Sequence, residues 1–202
     1  MIDLTLYIDR LSAAVGKAFG WCIIVLTLGT CYEVFMRYIM RAPTSWAFDM
    51  AYCMYGALFI MAGAYTLSRN GHVRGDVIYR LLPIRTQAMI DLVLYILFFF
   101  PGFLALLIYG IPYARTSFMM REVSIYSPAG LPIWPLKILI PIAALSMLIQ
   151  GVAEVIRCIV CLREGAWPQR LHDVEELESA ILADDHARQR LEQQRATGSV
   201  SS

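Results

Sequence analysis

The sequence predicts an all-α integral membrane protein, with four transmembrane helices plus interfacial amphipathic helices. Of its 202 residues, 58% are hydrophobic and 16% are charged, against about 45–50% apolar and about 25% charged in a soluble domain. The excess apolar residues are gathered into four long runs, and the charges collect between and after them. A net charge of +1 with no basic stripe offers nothing to nucleic acid.

Residues 1–17 read as an interfacial amphipathic segment, in which Leu4, Leu6, Ile8, Leu11 and Val15 alternate with Asp3, Asp9, Arg10 and Lys17. The early acids, and the lack of a prompt small-residue cleavage site, argue against a secretory signal. The four-helix membrane domain then occupies 18–163. Its spans are predicted at about 18–38, 46–67, 88–113 and 133–162, each near or above the roughly 20 residues that cross a bilayer core. With no water to satisfy an open backbone, such segments are helical. Pro101 and Pro141 are expected to bend the third and fourth spans, because each lacks a backbone donor.

Between the second and third spans lies Leu67–Pro83. Asn70-Gly71 is a helix stop, and Val73, Val77, Ile78, Leu81 and Leu82 form an apolar stripe at helical spacing, suited to the headgroup boundary. Residues 164–202 are a separate material. They hold a charged stretch with Val174, Leu177, Ile181 and Leu182 near helical spacing, then a polar end, and are read as a helical and disordered tail.

Arg10, Lys17, Arg69, Arg74, Arg80, Arg85, Arg157, Arg163 and Arg170 would lie on one side of the membrane, and Arg37, Arg41, Arg115, Arg121 and Lys137 on the other. The positive-inside rule then places both termini in the cytoplasm. Trp21, Trp46, Trp134 and Trp167 fall mostly near predicted helix ends, as an interfacial belt would.

Ionisable residues within spans are the candidate sites. Glu33 and Arg37 lie four apart on one helix face and are expected to pair. Asp49 follows one turn into the second span, toward the same end. Glu154 and Arg157, with Gln150 a turn away, are expected to make a self-neutralising surface. Asp91 is read as opening the third helix, where it complements the helix dipole. Glu33, Arg37, Asp49, Glu154 and Arg157 are read as structural ion pairs rather than as a coupling-ion path. Cys158 and Cys161 have a pair spacing without a second pair and read as small apolar residues. None of His72, His172 and His186 falls in a span, which disfavours a haem-bearing anchor. There is no nucleotide-binding Gly-Lys-Ser/Thr loop, HExxH or GxSxG motif. No enzyme, cofactor or metal site is expected.

Four stretches carry a family likeness: "EVFMRYIM" ending the first span, "TSWAFDMAY" opening the second, "GAYTLSRNGHVRGDVIYRLLPIRTQ" leaving it, and "EVSIYSPAGLPIWPLKILIPIAALSMLIQGVAEVIR" through the fourth. Over roughly Leu11–Arg163 the chain resembles the small permease subunit of tripartite ATP-independent periplasmic (TRAP) transporters, the DctQ-like family. The block of His72, Arg74 and Asp76 after the second span is its strongest element. Where many relatives carry a glutamate pair after the tryptophan, this chain has Ala47, Phe48 and Asp49.

The resemblance implies a bacterial inner-membrane scaffold subunit. Its partners would be a large elevator-type permease subunit that holds the substrate and sodium sites, and a periplasmic substrate-binding protein that delivers an organic acid. Lipids would surround it. Arg41, Arg115 and Arg121 are then candidate docking contacts for the binding protein. The alternatives are an autonomous four-helix proton-coupled transporter that uses Glu33, or a membrane anchor of a redox enzyme.

Overall fold

The computed structural model describes residues 2–69, 79 and 81–168. The signature residues His72, Arg74 and Asp76, most of the proposed interfacial stripe around them, His172, His186 and the tail from 169 onward lie outside the described residues.

Helices α1 (Ile2–Gly20) and α2 (Cys22–Tyr38) are separated by Trp21 alone. Its backbone stays helical at φ −63°, ψ −21°, so the two form a nearly continuous helix. Helix α3 (Ala47–Ser68) returns. Helix α4 (Ile84–Leu94), a π-helical turn (Tyr95–Phe99) and α5 (Phe100–Met119) follow as one run, and α6 (Trp134–Glu164) closes the bundle. Among the described residues, four helices are long and apolar enough to cross a membrane: Leu4–Tyr38, Ala47–Ser68, Ile84–Met119 and Trp134–Glu164. The all-helical expectation therefore holds, although the first and third helices run well past the sequence-based spans.

The π turn has a local cause. Pro101 has no N–H to offer Leu97, and its ring would press on that carbonyl in an α-helix. The turn before it widens, and the Phe100 N–H reaches back five residues to the Tyr95 carbonyl. Pro112 and Pro141 sit inside α5 and α6 without ending either helix. Gly165, at φ 76°, stops α6 in the left-handed conformation that glycine adopts without strain.

Helix α6 is the centre and packs on α1, α3, α4 and α5, while α3 packs on α1 and α2. The order across the bundle is thus α2, α3, α6, α5, with α1 against the α3–α6 seam. Burial follows: 39% of the most apolar window of α6 is buried, but only 6% of that of Ile84–Met119. Large apolar side chains such as Phe59, Tyr109 and Leu28 face outward. The groups buried inside include Asp9, Gln150, Glu154 and Arg157. This inside-out distribution suits lipid, where apolar packing gains nothing over contact with acyl chains but an exposed polar group is costly.

Helix α1 shows the inversion most clearly. Its amphipathic pattern is present, but Thr5, Asp9 and Ser12 are buried while Leu4, Tyr7 and Leu11 are exposed. Close approach of α1 to α3 depends on Gly16: a Cβ there would lie 2.4 Å from Tyr65 Cβ, which cannot swing away. Gly16→Ala should destabilise the subunit by about 1–3 kcal/mol through overpacking. Gly29→Ala should cost well under that, because its Cβ meets only the flexible end of the Met50 side chain. Thermal unfolding of the two variants in detergent makes the comparison.

Candidate functional site

Among the described residues, the main ionisable groups form two sets at opposite ends of the bundle. At the end shared by the α2–α3 and α5–α6 connections, each carboxylate ties down a loop. Glu33 accepts from Arg37 Nη2 at 2.6 Å and Nε at 3.0 Å, and its second oxygen accepts from the Thr44 amide at 3.0 Å and from the Thr44 hydroxyl. The pair that spacing suggests is therefore also the clasp that fixes the turn into α3. A small crevice of about 200 Å³ beside it is lined by Thr30, Glu33, Arg37 and Thr44, among others.

Asp49 is 2% exposed, in the first turn of α3. Among the described residues it makes no ion pair. It accepts from Ser124 Oγ at 2.6 Å and from the Ser127 hydroxyl, and Phe48 meets Tyr126 edge-on at 6.4 Å. The arginine that sequence proximity offers is thus replaced by two hydroxyls from a loop 75 residues away. That long-range partnership has no spacing signal, although an acid in a first helical turn is favoured by the helix dipole in any case.

The same loop is closed by Ser124 N–H to Leu131 O at 2.8 Å and Ile133 N–H to Glu122 O at 3.0 Å. Lys137 Nζ bonds both Glu122 oxygens at 2.6–2.7 Å and lies 4.4 Å from the Tyr113 ring centre. The Lys137 ammonium holds the Glu122 carboxyl below the ordinary carboxylate range, against the opposing pull of desolvation.

Arg41 and Arg121 both take positive φ, 52° and 49°. Arg121 closes α5 in the arrangement glycine usually supplies: its N–H bonds Phe118 O at 3.2 Å, and the Glu122 N–H bonds Ser117 O at 3.1 Å. Its guanidinium lies 5.4 Å from the Phe118 ring centre and 5.9 Å from that of Trp134, a cation–π placement. Arg41 and Arg115 are exposed on the same end.

At the other end, α1 is joined to α6 through a buried network. Arg157 Nη2 meets Asp9 Oδ2 at 2.5 Å and its Nη1 meets Glu154 Oε1 at 2.6 Å. Gln150 Nε2 donates to Asp9 Oδ1 at 2.8 Å, and Ser12 Oγ donates to Gln150 Oε1 at 2.8 Å. Asp9, Gln150, Glu154 and Arg157 are each at most 1% exposed. Glu154 and Arg157 therefore form no surface patch, as sequence spacing suggested. Asp9, read from the sequence as part of a solvated face, is their third member. Arg157 lies roughly 34 Å along α6 from Trp134, near the depth of the far membrane interface.

Asp91 also differs from expectation. Its helix begins at Ile84, so it sits two turns inside, where the Tyr79 hydroxyl donates to it at 2.8 Å. Among the described residues no group of three or more His, Cys, Asp or Glu is placed to hold a metal ion.

Side chains that clasp loops and lock helices, on a bundle whose outer surface is apolar, describe a helical bundle built for a membrane. Comparison with known families decides which one. The family described as "Tripartite ATP-independent periplasmic transporters, DctQ component" matches residues 26–161. The chain belongs to the DctQ family. It is the small, multi-pass membrane subunit of a TRAP transporter and not an enzyme. No curated protein matches the chain. The family match begins within α2 and ends near the close of α6. Asp9 and Ser12 thus lie before the matched region, and the buried network joins them to Gln150, Glu154 and Arg157 inside it.

Proposed function

We propose that this DctQ subunit is the static scaffold of a sodium-coupled TRAP transporter for organic acids. Substrate and sodium bind the large permease subunit, a periplasmic binding protein delivers the substrate, and both termini of this chain are cytoplasmic. The observation that carries the reading is the engagement of the span carboxylates by the chain's own groups. Glu33 is held by Arg37 and Thr44, Asp49 by Ser124 and Ser127, and Asp9 and Glu154 by Arg157. A carboxylate that carried a coupling ion or proton would have to exchange partners during the cycle, and these serve as fixed fasteners. Glu33 is therefore a poor proton carrier for an autonomous transporter. Helices clasped at both ends suit the part of an elevator that must stay still.

In this reading His72, Arg74 and Asp76 belong to a cytoplasmic brace, and Arg41, Arg115 and Arg121 meet acidic patches of the binding protein, where exposed charges steer encounter. The coupling is tested by reconstituting the three components in liposomes. Uptake of an organic acid should require an inward sodium gradient, and equal uptake on a potassium gradient would contradict the coupling.

The docking role has its own test in Arg41→Gly. The substitution removes a strained left-handed arginine, so stability should stay level or rise by less than about 1 kcal/mol. Uptake should nevertheless fall several-fold at limiting binding protein. Unchanged uptake would remove Arg41 from the docking surface.

A further inference from the structure

The crevice beside the Glu33 clasp is small, mostly apolar and headed by a cation. It lies between α2 and α3 and has about 200 Å³ of room, lined by Thr30, Val34 and Arg37 on α2 and by Ala47, Phe48 and Ala51 on α3, among others. Arg37 heads it from the last turn of α2. Thr30 lies seven residues back, roughly 10 Å deeper along the helix axis. Tyr32 and Trp46 stack with ring centres 6.1 Å apart, and Tyr38 is exposed beyond them. Such aromatics mark the headgroup level. The crevice thus starts at the headgroups and runs into hydrocarbon.

Size excludes a protein helix. A helix with its side chains is about 10–12 Å across, so a single turn fills roughly 400 Å³ or more. At about 30 Å³ for each water-sized group, the crevice takes roughly seven methylenes, a stretch of one acyl chain.

Arg37 decides between a bare chain and a lipid with its headgroup. Glu33 accepts from Nε and from Nη2, which uses one edge of the guanidinium. The other edge, Nη1 with the second N–H of Nη2, has no partner among the described residues, and the side chain is 55% exposed. Two parallel N–H groups on one edge take a phosphate bidentately. The wider groove of about 560 Å³ along the α3–α6 seam has no charged residue in its lining. It offers acyl chains a floor but no headgroup contact.

We propose that the crevice is a phospholipid site. The phosphodiester of a bilayer lipid accepts from the free edge of Arg37, and the first part of one acyl chain lies between Val34 and Ala51. Because Glu33 already balances the arginine, recognition is by hydrogen bonds rather than by net charge. The lipid fills out the packing of α2, which meets the bundle chiefly through α3. This site goes beyond the scaffold reading and does not depend on it.

The test uses the full-length subunit in detergent, supplied with equal amounts of phosphatidylethanolamine and of diacylglycerol with the same acyl chains. Native mass spectrometry reads which lipid stays bound. One phosphatidylethanolamine should be retained, over diacylglycerol by about tenfold, the least that hydrogen bonds to a charged group supply. Ala51→Leu puts three more carbons on the crevice floor and should lower that retention to the diacylglycerol level. Val34→Phe closes the crevice from its exposed α2 wall and should give the same loss, which keeps the test sound if Ala51→Leu does not fold. Ala62→Leu, the same change made in the wider groove, should leave retention unchanged. Equal retention of the two lipids by the unmodified subunit overturns the phosphate contact. Retention that survives both crevice variants, or that falls as far in Ala62→Leu, overturns the location.

Discussion

Arg157→Met should destabilise the subunit by about 3–5 kcal/mol, the usual cost of removing one partner from a buried ion pair. The size follows from what remains. Asp9 and Glu154 flank the guanidinium at 2.5 and 2.6 Å, and both are essentially without solvent. With the arginine gone, two carboxylates face one another with only Gln150 and their other local partners to offset them. Most of the effect is therefore electrostatic, and it should be reversible in a specific way. Replacing all three charged groups together, with Asp9→Leu, Glu154→Leu and Arg157→Met, should recover most of the loss, because apolar side chains can fill the site without leaving a charge stranded. Denaturation of the purified variants in mixed detergent micelles reads both effects. A triple variant less stable than Arg157→Met would mean that packing, not charge pairing, holds α1 against α6.

Asp49→Ala should release the loop between α5 and α6. The carboxylate receives two hydroxyl hydrogen bonds from that loop, and bonds to a charged group contribute about 1.5–3 kcal/mol each. The loop would keep its Glu122–Lys137 link and its internal backbone bonds, so the α-helices should stay folded. The change is local opening: amide exchange at Ser124 and Leu131, and cleavage after Arg121 by trypsin, should both quicken at least tenfold. Asp49→Asn should fall between, since its amide oxygen still accepts one hydroxyl. Unchanged exchange in Asp49→Ala would mean that the backbone bonds alone hold the loop.

The parts of this molecule that were legible in its sequence are those governed by local or one-dimensional patterns. Four helices follow from run length and from the backbone's need to satisfy itself in lipid. The Glu33–Arg37 pair follows from a spacing of four on one helix. Three things were not legible. Asp9 sits in a pattern that reads equally well as an interfacial helix with its acids in water, and only the packing of α1 against α6 turns that face inward. Gln150 in the midst of an apolar run was the available hint, because a lone amide there needs a partner. Asp49 likewise offered its acid but not its partners, since Ser124 and Ser127 reach it through loop closure. The helix over residues 2–20 was expected as an interfacial segment, but not its near-continuity with the first span; the third helix runs on to Met119 because Ala114 and Ser117 still pack inside the bundle beyond the apolar run.

In the proposed role this subunit supports transport without binding what is transported. Calorimetry tests it most directly, with the purified subunit alone and then the assembled transporter titrated with sodium and with candidate organic acids. The scaffold account predicts saturable heats for the assembly and none above dilution for the lone subunit. Stoichiometric sodium or organic acid binding to the lone subunit would contradict it.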